Sequence, residues 1–372
     1  MTTTTQRTYT LTFLALVLLF AGTGFLAKAY HAQRQNRAED HFEQGQRLQR
    51  AGHETAALAQ YRAALGIADS NPRYELALTL TLFDLGRLQE AQSHLTELLA
   101  QDPTNGQLNL TMARIAAGED KTDDAVTYYH RAIYGSWPEQ PLNHRITIRF
   151  ELVDYLARNG LQQQLLPALV QLQSDLPDDP SLKQRVADLF AQAHAPRPAA
   201  DLYLEVVKAR PRDAAAWAGL GTADFAMGDY VGAQGSLRRA VALKSSNTDV
   251  AAHLAWVNEY LALDPTRPRL SSAERYRRAR HLLELTLSAV DDCLRAKQAP
   301  VPNALVQQTD QAATILGQQA KPGDRDDATD AALSTAGALW TSRAAICPAP
   351  PSPGTPLGAV LGRVASFADS TN

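Results

Sequence analysis

Residues 214–243 read AAAWAGLGTADFAMGDYVGAQGSLRRAVAL. Small and apolar side chains recur at helical spacing on both sides of Gly228, whose freedom at positive φ suits a tight turn between two helices. Three positions after the turn set the register: Ala233, Leu237 and Ala240. Each returns upstream at a step of 34 residues. The small position gives Ala57, Ala91 and Ala125, then Ala199 and Ala233. The large position gives Tyr61, Leu95, Tyr129, Leu169, Tyr203 and Leu237. The third gives Ala64, Leu98, Ala132, Leu172, Val206 and Ala240. Between Tyr129 and Leu169 the step is 40, so one connection is longer.

A period of this length marks stacked helical hairpins, each burying its apolar face against its neighbours. Gly52, Gly86 and Gly160 fall at the same turn position as Gly228. Pro72 sits where a helix start tolerates a missing N–H, and Pro103, Pro177 and Pro211 stop the second helices. The pattern Trp217, Leu220, Gly221, then Gly228, then Ala233, Leu237 and Ala240 resembles the tetratricopeptide repeat. The unit at 71–103 departs at its start, with Glu75, Leu78 and Thr79, but keeps Gly86, Ala91 and Pro103. The expected fold is therefore all-α: a right-handed superhelical solenoid of tetratricopeptide-type hairpins, preceded by one transmembrane helix and followed by capping helices. Six units occupy 31–247, with an insertion near 135–144 that carries Trp137 between Gly135 and Pro138.

Residues 1–8 form a short N-terminal tail, and residues 9–30 read as a transmembrane helix or uncleaved signal anchor. The stretch from Tyr9 to Ala27 carries no charge, and its 19 residues span about 28 Å as a helix, near the thickness of bilayer hydrocarbon. A cleaved signal peptide ending at Ala27-Lys28-Ala29 is the competing reading. Lys28, Arg34 and Arg37 after the segment point the bulk to the cytoplasm. The common plan of an N-terminal anchor followed by a long soluble array points to the periplasm of a bacterial cell membrane protein, and that side is preferred.

Residues 248–345 read as a degenerate repeat and C-terminal capping helices, with Ser272 placed to cap one of them. Arg275, Arg277, Arg278 and Arg280 read as a solvated helix face. Residues 346–372 read as a proline-rich, loose tail. Cys293 and Cys347 lack metal-ligand spacing and are a possible disulfide in an oxidising compartment.

The chain has 372 residues and a net charge of −3, with no basic run dense enough for nucleic acid. No catalytic motif, metal site or cofactor loop stands out, so no enzyme is expected. His94 reads as having no carboxylate or histidine partners at ligand spacing. Function is expected in the groove lined by the first helix of each unit. By phase its candidates are Arg73, Leu76, Leu80, Phe83, Leu110, Arg114, Phe150, Asp154, Gln184 and Asp188, with Thr222 and Phe225 continuing the series. Leu76, Leu80, Phe83 and Leu110 suggest an apolar strip flanked by Arg73 and Arg114. The lysines and asparagines with which some repeat proteins of this type clamp a C-terminal carboxylate are absent at the matching positions. The sequence thus reads as a membrane-anchored scaffold that binds an unidentified protein partner and touches lipid through 9–30. A structural or assembly subunit of a larger membrane complex is the alternative, and a ligand-binding or enzymatic site in the C-terminal helices a third.

Overall fold

The structure is a computed structural model that describes residues 2–69, 71–245, 247–297, 302–347 and 354–369; side chains are described for these except 2–15, 17, 18, 297 and 366–369. Helices account for the fold, and no strand occurs among the described residues. The chain divides into two compact units, residues 1–175 and 176–372.

The first unit holds α1 (Thr2–Arg50), α2 (Glu54–Ile67), α3 (Pro72–Asp84), α4 (Leu88–Gln101), α5 (Gly106–Gly118), α6 (Thr122–Ile133), α7 (Pro141–Arg158) and α8 (Gln162–Ser174). The second holds α9 (Pro180–Gln192), α10 (Pro196–Ala209), α11 (Ala214–Met227), α12 (Tyr230–Ala242), α13 (Asp249–Leu263), α14 (Ser272–Lys297), α15 (Asn303–Gly317), α16 (Arg325–Ala344) and α17 (Pro356–Asp369). Helices from the C-terminal part of α1 to α12 pair in order, and each pair is one repeat.

The periodic positions are the packing points. Ala57, Ala91, Ala125, Ala199 and Ala233 are all fully buried, as are Tyr61, Leu95, Leu169 and Leu237. An alanine there lets two helix backbones close up, and the large residue one turn later fills the space beneath them. Each fully buried leucine contributes about 2 kcal/mol of transfer free energy.

Each turn between paired helices closes the same way. The residue at positive φ is Gly52, Gly86, Asp120, Gly160, His194 or Gly228. The next residue's N–H donates back across the turn: His53 to Leu48, Arg87 to Leu82, Lys121 to Ala116, Leu161 to Leu156, Ala195 to Phe190 and Asp229 to Asp224. This six-residue bond is the Schellman closure, which satisfies carbonyls that the helix end leaves open. Four of the first helices start with a matching device. Asn71, Asn105, Asp179 and Asp213 each accept a backbone N–H of the helix they open.

The insertion folds onto the turn before α5. Ser136 N–H donates to the Thr104 carbonyl and Gly106 N–H to that of Ser136. Trp137 stacks on His144 with ring centroids 4.1 Å apart, and its indole N–H donates to the Ala132 carbonyl. Gly106 must be glycine here, because a Cβ would lie 2.2 Å from the Trp137 ring.

Two sequence expectations change at the C-terminal end. The tail is not open throughout: α17 buries Val360, Leu361 and Val364 in the same core as Val257 of α13 and Ala336 of α16. The proline-rich stretch 348–353 lies outside the described residues. The arginines of α14 are not simply solvated. Arg278 donates to the carbonyls of Leu261 and Asp264, and Arg280 to those of Ile315 and Leu316. Both guanidiniums thus sit at helix C-termini, where carbonyls lack partners and positive charge is favoured.

Among residues with described side chains, no helix is long and apolar enough to cross a membrane. The expected span at 9–30 lies partly outside them, at residues 9–15, 17 and 18. Its described part is helical, and Leu16, Leu19, Phe20, Phe25 and Leu26 are all exposed.

Candidate functional site

In the first unit, the cations expected to line an open groove are already engaged. Arg114 forms a two-pronged bond to Glu151, with both N–O distances 2.8 Å, and Tyr129 donates to the same carboxylate at 2.9 Å. Burial alone would raise the Glu151 carboxyl, but bonding to Arg114 and Tyr129 outweighs it and leaves the group lowered. Burial and that neighbouring carboxylate push the Tyr129 hydroxyl up. Arg73 reaches Glu39 at 3.4 Å and lies over the Phe42 ring at 5.0 Å. Tyr74 donates to Glu39 as well; burial first, then this bond, raises its hydroxyl to about 12.

The expected apolar strip is likewise drawn into packing. Leu110 and Phe150 are buried, 6% exposed each, and so do not offer open surface. Leu76 and Phe83 are half-buried against the core that contains Leu82 and Leu95. Leu80, Asp154 and Gln184 are also half-buried. Within the first unit, Leu110 and Phe150 are buried and Arg73 and Arg114 are bonded to acids of neighbouring helices. Several of them are the means by which neighbouring helices are held.

The second unit differs. A cavity of about 590 Å³ opens beside α9 and α11, the first helices of two successive pairs. Asp188, Ala191, Gln192, Gly219, Thr222, Ala223 and Ala226 of those helices line it, with His194, Pro196, Tyr203 and Asn247. Two of the phase-derived candidates, Asp188 and Thr222, thus face one space. Its size falls within the usual range for ligand pockets. Tyr203 donates to Asp188 Oδ1. Burial, then that carboxylate, raises the Tyr203 hydroxyl, so it remains a donor at any ordinary pH. The small floor is enforced: a Cβ on Gly219 would lie 2.3 Å from the Tyr203 ring.

The sequence reading also left out an ionic group on α3 and α4. His94 Nδ1 lies 3.6 Å from Glu75 Oε1. With Glu97 their ligand atoms fall within 4.8 Å of one another. One imidazole and two carboxylates form a ligand set that zinc accepts. Glu97 is exposed and His94 is half-buried at the surface beside Glu75, so the group is a surface cluster first. The i,i+3 spacing of His94 and Glu97 was the available signal; Glu75 enters only through antiparallel packing.

Cys293 at the end of α14 and Cys347 just past α16 are joined, with Cα atoms 6.2 Å apart.

Residues 82–134 match the family model described as tetratricopeptide repeat. No curated protein matches the chain. Among solved structures, PilF of Pseudomonas aeruginosa is 15% identical, with 60% of this chain and 99% of that one covered, at a TM-score of 0.38. YrrB, described as a TPR protein with an unusual peptide-binding site, is 13% identical, with 52% and 97% covered, at 0.39. The C-terminal part of a TPR repeat-containing protein from Cytophaga hutchinsonii is 12% identical, with 83% and 96% covered, at 0.42. By the family match and by their own helix pairs, residues 82–134 carry tetratricopeptide repeats.

Proposed function

We propose that this protein is a membrane-anchored adaptor that holds an extended segment of a partner protein against α9 and α11. The carrying observation is the cavity beside those helices, whose floor of alanine and glycine leaves room that no described side chain fills. Arg73 and Arg114 are tied to Glu39 and Glu151, so they serve packing before recognition. No catalytic role is proposed for the site.

Residues 9–30 are the proposed anchor. In its described part the large apolar side chains project from a helix that buries none of them, which suits lipid better than water. The joined cysteines favour an oxidising compartment, hence a soluble part on the periplasmic side of a bacterial membrane.

Photocrosslinking in native membranes tests the reading. A benzophenone amino acid at Ala226 or Ala191, on the cavity wall, is expected to capture one specific partner, whereas the same group at Val241, exposed on α12, is not. Equal capture at all three positions would remove the groove from the function. The alternative of a structural subunit held through its spanning helix predicts that deleting residues 1–30 abolishes co-purification while cavity substitutions leave it intact.

A further inference from the structure

We infer that the cavity beside α9 and α11 receives a basic side chain, lysine or arginine, of the peptide held there. This rests on the groove reading above and adds the chemistry of the bound residue.

The first argument is charge. Asp188 is the one carboxylate among the described lining residues, which include no lysine or arginine. Its Oδ1 accepts from Tyr203, which fixes the carboxylate against a hydroxyl that stays protonated. Oδ2 keeps its lone pairs for a ligand.

The second argument is shape. Ala191, Gly219, Ala223 and Ala226 present only short surfaces, over which an aliphatic stem lies without crowding. At its end an ammonium or guanidinium carries several donors and no acceptor. Asp188 supplies acceptors for them, with the amide oxygen of Gln192 on the same lining. An acidic side chain would be repelled by the Asp188 charge, and a neutral apolar one would gain nothing from it.

To test this, the full chain in detergent micelles is panned against a displayed library of random 12-residue peptides, and enriched peptides are titrated by fluorescence anisotropy. Enriched peptides are expected to share a lysine or arginine whose replacement by norleucine weakens binding at least tenfold. Asp188→Asn, which can still accept from Tyr203, is expected to weaken the basic peptide about tenfold and to leave the norleucine version unchanged. Ala226→Lys places a cation in the cavity and is expected to abolish binding of the basic peptide. If peptides bind and Ala226→Lys blocks them, but no basic residue is shared or Asp188→Asn has no effect, the basic-residue inference is wrong and the groove stands. If no peptide enriches, or binding ignores Ala226→Lys, the groove reading fails and takes the inference with it.

Discussion

Asp224→Asn should stabilise the second unit at neutral pH and do nothing at low pH. Asp224 sits near the C-terminus of α11 and is only 9% exposed. Burial, then the nearby Asp229 charge, lifts its carboxyl from 3.8 to about 6, against a weak opposing bond from Ser236. A carboxyl raised on folding is a cost once it ionises. Well below pH 3.8 it is protonated in both states and contributes nothing. Between about pH 4 and pH 6 the unfolded chain ionises first, so stability falls, and above that range the loss is constant. A shift from 3.8 to about 6 corresponds to about 3 kcal/mol at most. Water reaching the partly open carboxylate lowers the effect to about 1–2 kcal/mol. Asparagine keeps the shape, can accept from Ser236, and carries no charge. Urea unfolding followed by tryptophan fluorescence, at pH 4.0, 5.0, 6.0 and 7.5, measures the difference between the two proteins. That difference should grow from a few tenths of a kcal/mol at the lowest pH to about 1–2 kcal/mol at the highest. A constant difference across the range, or a variant less stable at pH 7.5, would refute the reasoning.

Other consequences can be checked with the same assay. Asp120 occupies at φ 57° the turn position that glycine holds in four other pairs, so Asp120→Gly should add about 1 kcal/mol while Gly86→Ala should cost about 1–2 kcal/mol. Arg149 is 5% exposed and binds Asp175, Gln171 and Tyr134. Arg149→Ala leaves Asp175 only the looser Arg145 contact at 3.9 Å and should cost about 3 kcal/mol, and a loss under about 1 kcal/mol would show the pair to be dispensable. The Cys293–Cys347 bond spans 54 residues of sequence, for which chain-entropy reasoning gives up to about 4 kcal/mol. Cys347→Ser should therefore lower the melting temperature under oxidising conditions and have no effect in strong reductant, and maleimide labelling of the unreduced wild type should find no free thiol.

The alanine and leucine series could be read from the sequence because close packing constrains the packed residue itself. The capping series Asn71, Asn105, Asp179 and Asp213 keeps the same repeat positions but escapes a search for one residue type, since several side chains can accept the same N–H. The pairings that occupy Arg73 and Arg114 were not legible. Their acids lie 34 and 37 residues away, and the bonds depend on how neighbouring helices are rotated, which periodicity leaves open. Helix α17 was hidden for another reason. Prolines at its entrance dominate the local composition, although Leu357, Val360, Leu361 and Val364 after them follow helical spacing. The cavity could be anticipated only in part. Asp188 and Thr222 fall on the inward phase, but the room between them depends on Tyr203 lying against Gly219.

Helix α1 runs unbroken from Thr2 to Arg50 and ends as the first helix of the first repeat, where Ala38 and Phe42 enter the core. If residues 9–27 lie in a bilayer, Ala38 stands only about 16 Å along the helix beyond them. The connecting residues 28–37 contain neither glycine nor proline, so the joint behaves as a strut rather than a tether. The first repeat would then keep a set height and pitch above the lipid headgroups. Only ligands presented close to the membrane surface, and in one orientation, would come within its reach.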